Sequence, residues 1–131
     1  NYDIWGGDID PKAVAIARSN AEKAGVEDLV RFEVADALSF HREEPYGKLV
    51  TNPPYGERIM EKKEAEDLYR GFGKAFRSLP DGWTLSLLSS HTEFERTFGR
   101  NADRKRKLYN GMLKCDLFLY GKRGAQHEKK R

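Results

Sequence analysis

Apolar residues recur along this chain with two spacings, one of two residues and one of about 3.6, and the alternation between them marks the elements. Residues 2–8 read as a strand with apolar Ile4 and Trp5, and the Gly6-Gly7 pair lets another backbone or a ligand come close. Asp10-Pro11 then opens a helix, with Asp10 as cap and Pro11 at the first helical position. Ala13, Ala17, Ala21 and Ala24 share one face of it, Val14 and Ile16 lie beside them, and Gly25 ends it. Residues 29–34 form a second strand, in which Val30, Phe32 and Val34 alternate with Arg31 and Glu33.

A polar segment, 41–46, leads to a short apolar run, Lys48-Leu49-Val50, which Pro53 and Pro54 forbid from continuing. A charged loop over 57–63 precedes an amphipathic helix carrying Leu68, Phe72, Ala75, Phe76 and Leu79. Pro80-Asp81-Gly82 is a turn. Residues 83–89, apolar at Leu85, Leu87 and Leu88, predict a central strand. A short helix over 93–98 and two strands, 104–109 and 112–120, complete the order, with Asn110-Gly111 as a hairpin turn. The pattern is α/β: mostly parallel strands that finish in an antiparallel pair.

Composition narrows the class. The 131 residues suffice for one domain with a core, and no run is long and apolar enough to span a membrane. Cys115 is the single cysteine, which excludes an internal disulfide and suits a reducing, cytoplasmic setting. His41, His91 and His127 are scattered without metal-ligand spacing, so no metal is expected. The net charge of +3 is unevenly placed: residues 100–131 carry 11 Lys and Arg against 3 Asp and Glu. A basic final quarter favours a polyanion on one side of the molecule. From Gly124 onward the chain reads as a disordered basic tail.

The strand ending at Val50 runs into Thr51-Asn52-Pro53-Pro54-Tyr55. In open parallel sheets, ligands bind at the carboxyl ends of strands. The Asn52 side-chain oxygen and the Pro53 carbonyl are two acceptors on a stiff bend, and they suit a planar NH2 group. Accepting both of its hydrogens aims the nitrogen lone pair at an electrophile, while Tyr55 stacks on the flat face of the target. Asp8 and Asp36 also sit at carboxyl ends of strands. A carboxylate in Asp8's place accepts from both ribose hydroxyls, and Ile9 covers an adenine face. Asp36 accepts from an adenine amino group and the Ala37 N–H donates to a ring nitrogen, so the four together would hold an adenosine. G-x-G-x-x-G is absent.

These residues resemble those of class I S-adenosylmethionine-dependent methyltransferases that modify exocyclic amines. The closer likeness is to the RNA methyltransferase family related to the 23S rRNA guanine-N2 enzymes, often labelled N6-adenine-specific DNA methylases. The likeness runs through Gly7-Asp8-Ile9-Asp10-Pro11, Asn20-Ala21, Phe32-Glu33-Val34, Thr51-Asn52-Pro53-Pro54-Tyr55-Gly56-Glu57-Arg58, Leu68-Tyr69 and Lys107-Leu108-Tyr109-Asn110-Gly111. It implies a Rossmann-like sheet of order 3-2-1-4-5-7-6 with the seventh strand antiparallel. It implies S-adenosyl-L-methionine as cofactor, held by Asp8, Ile9, Asp36, Ala37 and Asn52, and an RNA-binding THUMP domain upstream. Asn52, Pro53, Pro54 and Tyr55 would be the catalytic group, with Tyr55 and Arg58 touching substrate.

The family's first strand and glycine-rich loop have no counterpart here, so the resemblance implies a partial catalytic domain over 1–123, inactive alone, whose exposed strand edges invite self-association. The favoured reaction is methylation of guanine N2 in 23S rRNA. The acceptors of the bend equally fit adenine N6 of DNA or a glutamine amide of a protein, and a non-catalytic RNA-binding piece is the reading from a different class.

Overall fold

A computed structural model describes residues 3–53 and 59–121, the side chains of 59–61 and 110 excepted. The predicted tail from Gly124 onward lies outside the described residues. The chain divides into two compact units, residues 1–40 and 41–131.

In the first unit, β1 (Ile4–Asp8) and β2 (Val30–Val34) pair in parallel, with Ile4 opposite Val30 and Asp8 opposite Val34. Helix α1 (Pro11–Lys23) makes the crossover between them. Asp10 caps it, its side chain accepting from the Lys12 N–H at 2.9 Å. At its other end Gly25 takes a φ of +74°. Val14 and Ala21 are buried, whereas Ile16 is exposed. Of the alanine stripe, Ala13 and Ala17 are half-buried and Ala24 is exposed, so the packed face runs through Val14 and Ala21, and Ile16 stands outside it. A short 3₁₀ turn, Ala37–Ser39, follows β2.

In the second unit, β3 (Tyr46–Thr51), β4 (Gly82–Ser89), β5 (Arg104–Asn110) and β6 (Leu113–Tyr120) form one sheet in the order β3-β4-β6-β5. β3 and β4 are parallel, and β6 is antiparallel to both β4 and β5. The nearly all-apolar run thus becomes β4, an interior strand, as its composition predicts. Both sheets agree with the Rossmann-like class: parallel strands joined through helices, then an antiparallel hairpin.

Several boundaries differ from the sequence reading, three of them for a visible reason. β3 begins at Tyr46, inside the segment read as polar, because Tyr46 pairs with Gly82 and the Trp83 indole donates to the Glu44 carbonyl at 2.8 Å. Helix α2 spans Ile59–Arg77, so most of the expected charged loop is helix. Nothing in 59–63 breaks a helix, and Lys62, Lys63 and Glu64 lie exposed. The hairpin turn lies one residue later than Asn110-Gly111: Asn110 pairs with Leu113, leaving Gly111-Met112 as the two-residue loop. Gly111 has a φ of +66° and no described non-glycine residue has a positive φ, which is the requirement of a II′ turn.

The core of this unit is aromatic. Tyr69, Phe72 and Phe76 of α2 and Phe94 and Phe98 of α3 (Phe94–Phe98) are buried with Leu85, Leu87, Phe118 and Tyr120 of the sheet. Phe94 lies 4.6 Å from Phe118 and Phe98 lies 4.4 Å from Tyr120, centroid to centroid. The Tyr120 hydroxyl donates to the Arg100 carbonyl at 2.8 Å, and burial pushes its pKa upward. Ala65 and Tyr69, which the helical spacing did not single out, extend the buried stripe by one turn.

At Gly73 the backbones of α2 and α3 come close: a Cβ there would stand 2.2 Å from the Phe98 carbonyl oxygen. Replacing glycine by alanine in a helix ordinarily gains about 1 kcal/mol. Here the backbone of α3 has to move, so Gly73→Ala is expected to cost about 2 kcal/mol. Urea denaturation checks this, with Lys74→Ala on the exposed face as control. A raised midpoint for Gly73→Ala would show that the two helices are not in contact there.

Candidate functional site

Each unit brings part of the expected site to the carboxyl ends of its parallel strands. In the first, Asp8 closes β1 and Asp36 follows β2 by two residues. The Ala35 N–H donates to the Asp8 carbonyl at 2.9 Å, which ties the two strand ends together. Both aspartates are exposed. Each also organises its own turn: Asp8 Oδ1 accepts from the Asp10 N–H and Asp36 Oδ1 from the Leu38 N–H, both at 2.9 Å.

These bonds occupy one carboxylate oxygen and set the direction of the other, a common way to aim an acceptor. Ile9 is two-thirds exposed between Asp8 and Asp10. Ala37 opens the 3₁₀ turn, where a backbone N–H finds no acceptor within the helix. Two exposed carboxylates and an exposed apolar side chain thus lie together at the carboxyl ends of β1 and β2. A cleft of about 370 Å³ in the same unit, lined by Arg18, Glu22, Glu27, Val30, Arg31 and Phe32, lies toward the other end of β2 and does not include them.

In the second unit the chain leaves β3 at Asn52, which is exposed, and Pro53, which is half-buried. Thr51, the last paired residue of β3, is opposite Leu87 of β4, which runs on to Ser89. Pro54, Tyr55 and Arg58 lie outside the described residues. The bend thus starts where two parallel strands end side by side, as the sequence predicts for Asn52 and Pro53.

Sequence reasoning passed over what stands next to it. Ser89 is buried, and its Oγ lies 3.2 Å from the Tyr69 hydroxyl and accepts from the His91 N–H at 3.1 Å. The His91 ring is buried and donates from Nε2 to Glu66 Oε2 at 2.7 Å. Its ring also lies 5.7 Å from that of Tyr69. Glu66 is only 16% exposed at its side chain, with Arg96 Nη2 3.9 Å away. The cluster pins the carboxyl end of β4 to α2. Its signal in the sequence was faint: one histidine two residues beyond an apolar strand, with its partner on another element. Among the described residues, no group of His, Cys, Asp and Glu is arranged to hold a metal ion.

The family described as the RMKL-like methyltransferase domain matches residues 1–118. YpsC of Bacillus subtilis (strain 168), named as an RNA methyltransferase, is 42% identical over 134 residues, covering 99% of this chain and 34% of that protein. The ribosomal RNA large subunit methyltransferase K/L of Shewanella baltica (strain OS185) is 41% identical over 117 residues, 89% of this chain and 16% of its own. Among solved structures, SMU.472, named as a methyltransferase and crystallised with SAH, superposes with a TM-score of 0.86 at 45% identity. That superposition covers 92% of this chain and 32% of that one. The chain therefore spans about a third of YpsC and of SMU.472, and about a sixth of the K/L protein.

If His91 and Glu66 act as a pair, removing either leaves the other buried without its partner. His91→Ala and Glu66→Ala are each expected to cost about 2 kcal/mol. The double variant should cost less than both together, by at least about 0.5 kcal/mol. Additive losses in a denaturant double-mutant cycle would break the pairing.

Proposed function

The chain belongs to the RMKL-like methyltransferase domain family, and from that membership we propose that its protein methylates an exocyclic amine of an RNA base with S-adenosyl-L-methionine, most specifically guanine N2 of 23S rRNA. The observation that carries the proposal is the placement of Asn52 and Pro53 where parallel β3 and β4 end together. The match to the family over residues 1–118 supports it. So does the basic final quarter, which favours a nucleic acid over a glutamine side chain.

When bound, the cofactor supplies an electrophilic methyl group on a sulfonium. The residues of this chain do the positioning. Asp8 accepts from the ribose hydroxyls and Ile9 covers one face of the adenine. Asp36 takes the adenine amino group, and the Ala37 N–H donates to the ring. The Asn52 side chain and the Pro53 carbonyl accept the two hydrogens of the target amine, which leaves its lone pair facing the incoming methyl. Pro54 keeps the bend stiff, Tyr55 stacks on the target base, and Arg58 takes a phosphate. No base has to act before attack; the nitrogen sheds its proton to water once it has become cationic. All of this operates in the cytoplasm, where rRNA is found.

Two substitutions in the full-length protein separate these roles. Asn52→Ala is expected to lower turnover by at least about a hundredfold, while affinity for S-adenosylmethionine stays within about twofold. Asp8→Ala is expected to weaken that affinity about tenfold or more, by loss of a charged acceptor. Isothermal calorimetry and methyl transfer to protein-free 23S rRNA read both. Exchanged effects would overturn the assignments, and a wild-type protein that binds no S-adenosylmethionine would overturn the activity. Nucleoside mass spectrometry of the product identifies the base and the atom.

A further inference from the structure

We propose that the tip of the β5–β6 hairpin holds the nucleotide flanking the methylated one, with Tyr109 stacked on its base and Lys107 and Lys114 on its phosphates; this rests on the RNA reading above. Thr51, the last paired residue of β3, is opposite Leu87 of β4, Leu87 pairs with Phe118 of β6, and Phe118 pairs with Lys105 of β5. One row therefore crosses the whole sheet: Thr51, Leu87, Phe118, Lys105. Three strand spacings of about 4.8 Å separate its ends by roughly 14 Å, a span of a few nucleotides.

β5 runs parallel to β3 and β4, since both β4 and β5 are antiparallel to β6. Its carboxyl end thus points the same way as the Asn52–Pro53 bend. The strand continues past the shared row to Asn110 before turning, so the tip stands roughly 17 Å beyond it, at about 3.4 Å per residue.

What the tip presents fits a single-stranded nucleic acid. Tyr109 is 71% exposed and Met112 fully exposed. Tyr109 pairs with Lys114, and Lys107 lies two residues before Tyr109 on the same face. An exposed ring between two lysines is the combination that stacks a base and neutralises its phosphates. Of the neighbouring cations, Lys105 is committed to Glu95 at 3.0 Å. Asp116 stands opposite Lys107 and offsets part of its charge. Among the described residues, no ion pair holds Lys107 or Lys114. The bend on β3 would take the target base, and the hairpin would hold the strand beside it in place.

Filter binding of protein-free 23S rRNA to the full-length protein, over a series of salt concentrations, tests this. Tyr109→Ala is expected to weaken binding about tenfold, as for loss of one stacked base. Tyr109→Phe, which keeps the ring, should bind within about twofold of the unsubstituted protein. Lys107→Gln with Lys114→Gln should flatten the log–log salt dependence by about 1.4, or about 0.7 per phosphate contact on a single strand. Calorimetric affinity for S-adenosylmethionine should not change in any of them. Unaltered RNA affinity in Tyr109→Ala, failure of Tyr109→Phe to restore it, or no RNA binding at all overturns the proposal. RNA binding that depends on Tyr109 without any methyl transfer would instead overturn the function reading and leave the hairpin assignment standing.

Discussion

Six consecutive residue pairs join β3 to β4, from Tyr46 opposite Gly82 to Thr51 opposite Leu87. Once they form, the chain has one place to leave β3. Pro53 has no N–H with which to continue a ladder. The bend is thus made by the loss of a donor at a fixed height in the sheet. Everything assigned to it, from amine recognition to the stacking ring, depends on that height. The cluster of Ser89, His91, Glu66 and Tyr69 matters because it holds the neighbouring strand at the same level.

Local chemistry made much of this legible in the sequence. Asp10-Pro11 announced the start of α1, and the cap forms as expected. The concentration of apolar residues in 83–89, Trp83, Leu85, Leu87 and Leu88, announced an interior strand, and β4 does have a partner strand on each side. Asp8 and Asp36 could be picked out because each is the first acidic residue after an apolar strand. Where the reading failed, a distant partner decided the outcome. Tyr46 and Gly47 look like loop until β4 pairs with them. The first turn of α2 looks like loop because it is charged, yet charge marks only a solvated face. The hairpin turn moved by one residue because Asn110 closes the ladder with Leu113 instead of entering the turn.

The candidate site was legible residue by residue but not as a surface. That Lys105 and Thr51 lie in one row follows from three separate registers, and no window of sequence holds that information. Likewise His91 looked like one of three scattered histidines until α2 placed Glu66 beside it. Long-range pairing turns a list of candidates into an arrangement, and the family match over residues 1–118 says which kind of domain carries it.

The two units differ in how much they hide from water. Val14 and Ala21 are the buried residues of the first among those described, whereas the second encloses a continuous aromatic core from Tyr69 to Tyr120. Backbone amides in β4 and β6 should accordingly keep their protons through all but complete unfolding, while those of β1 and β2 trade theirs for deuterium through smaller local openings. The part that would grip the nucleoside is the softer of the two, so an adenosine settling against Asp8 and Asp36 would slow that trade most on the strands which carry them.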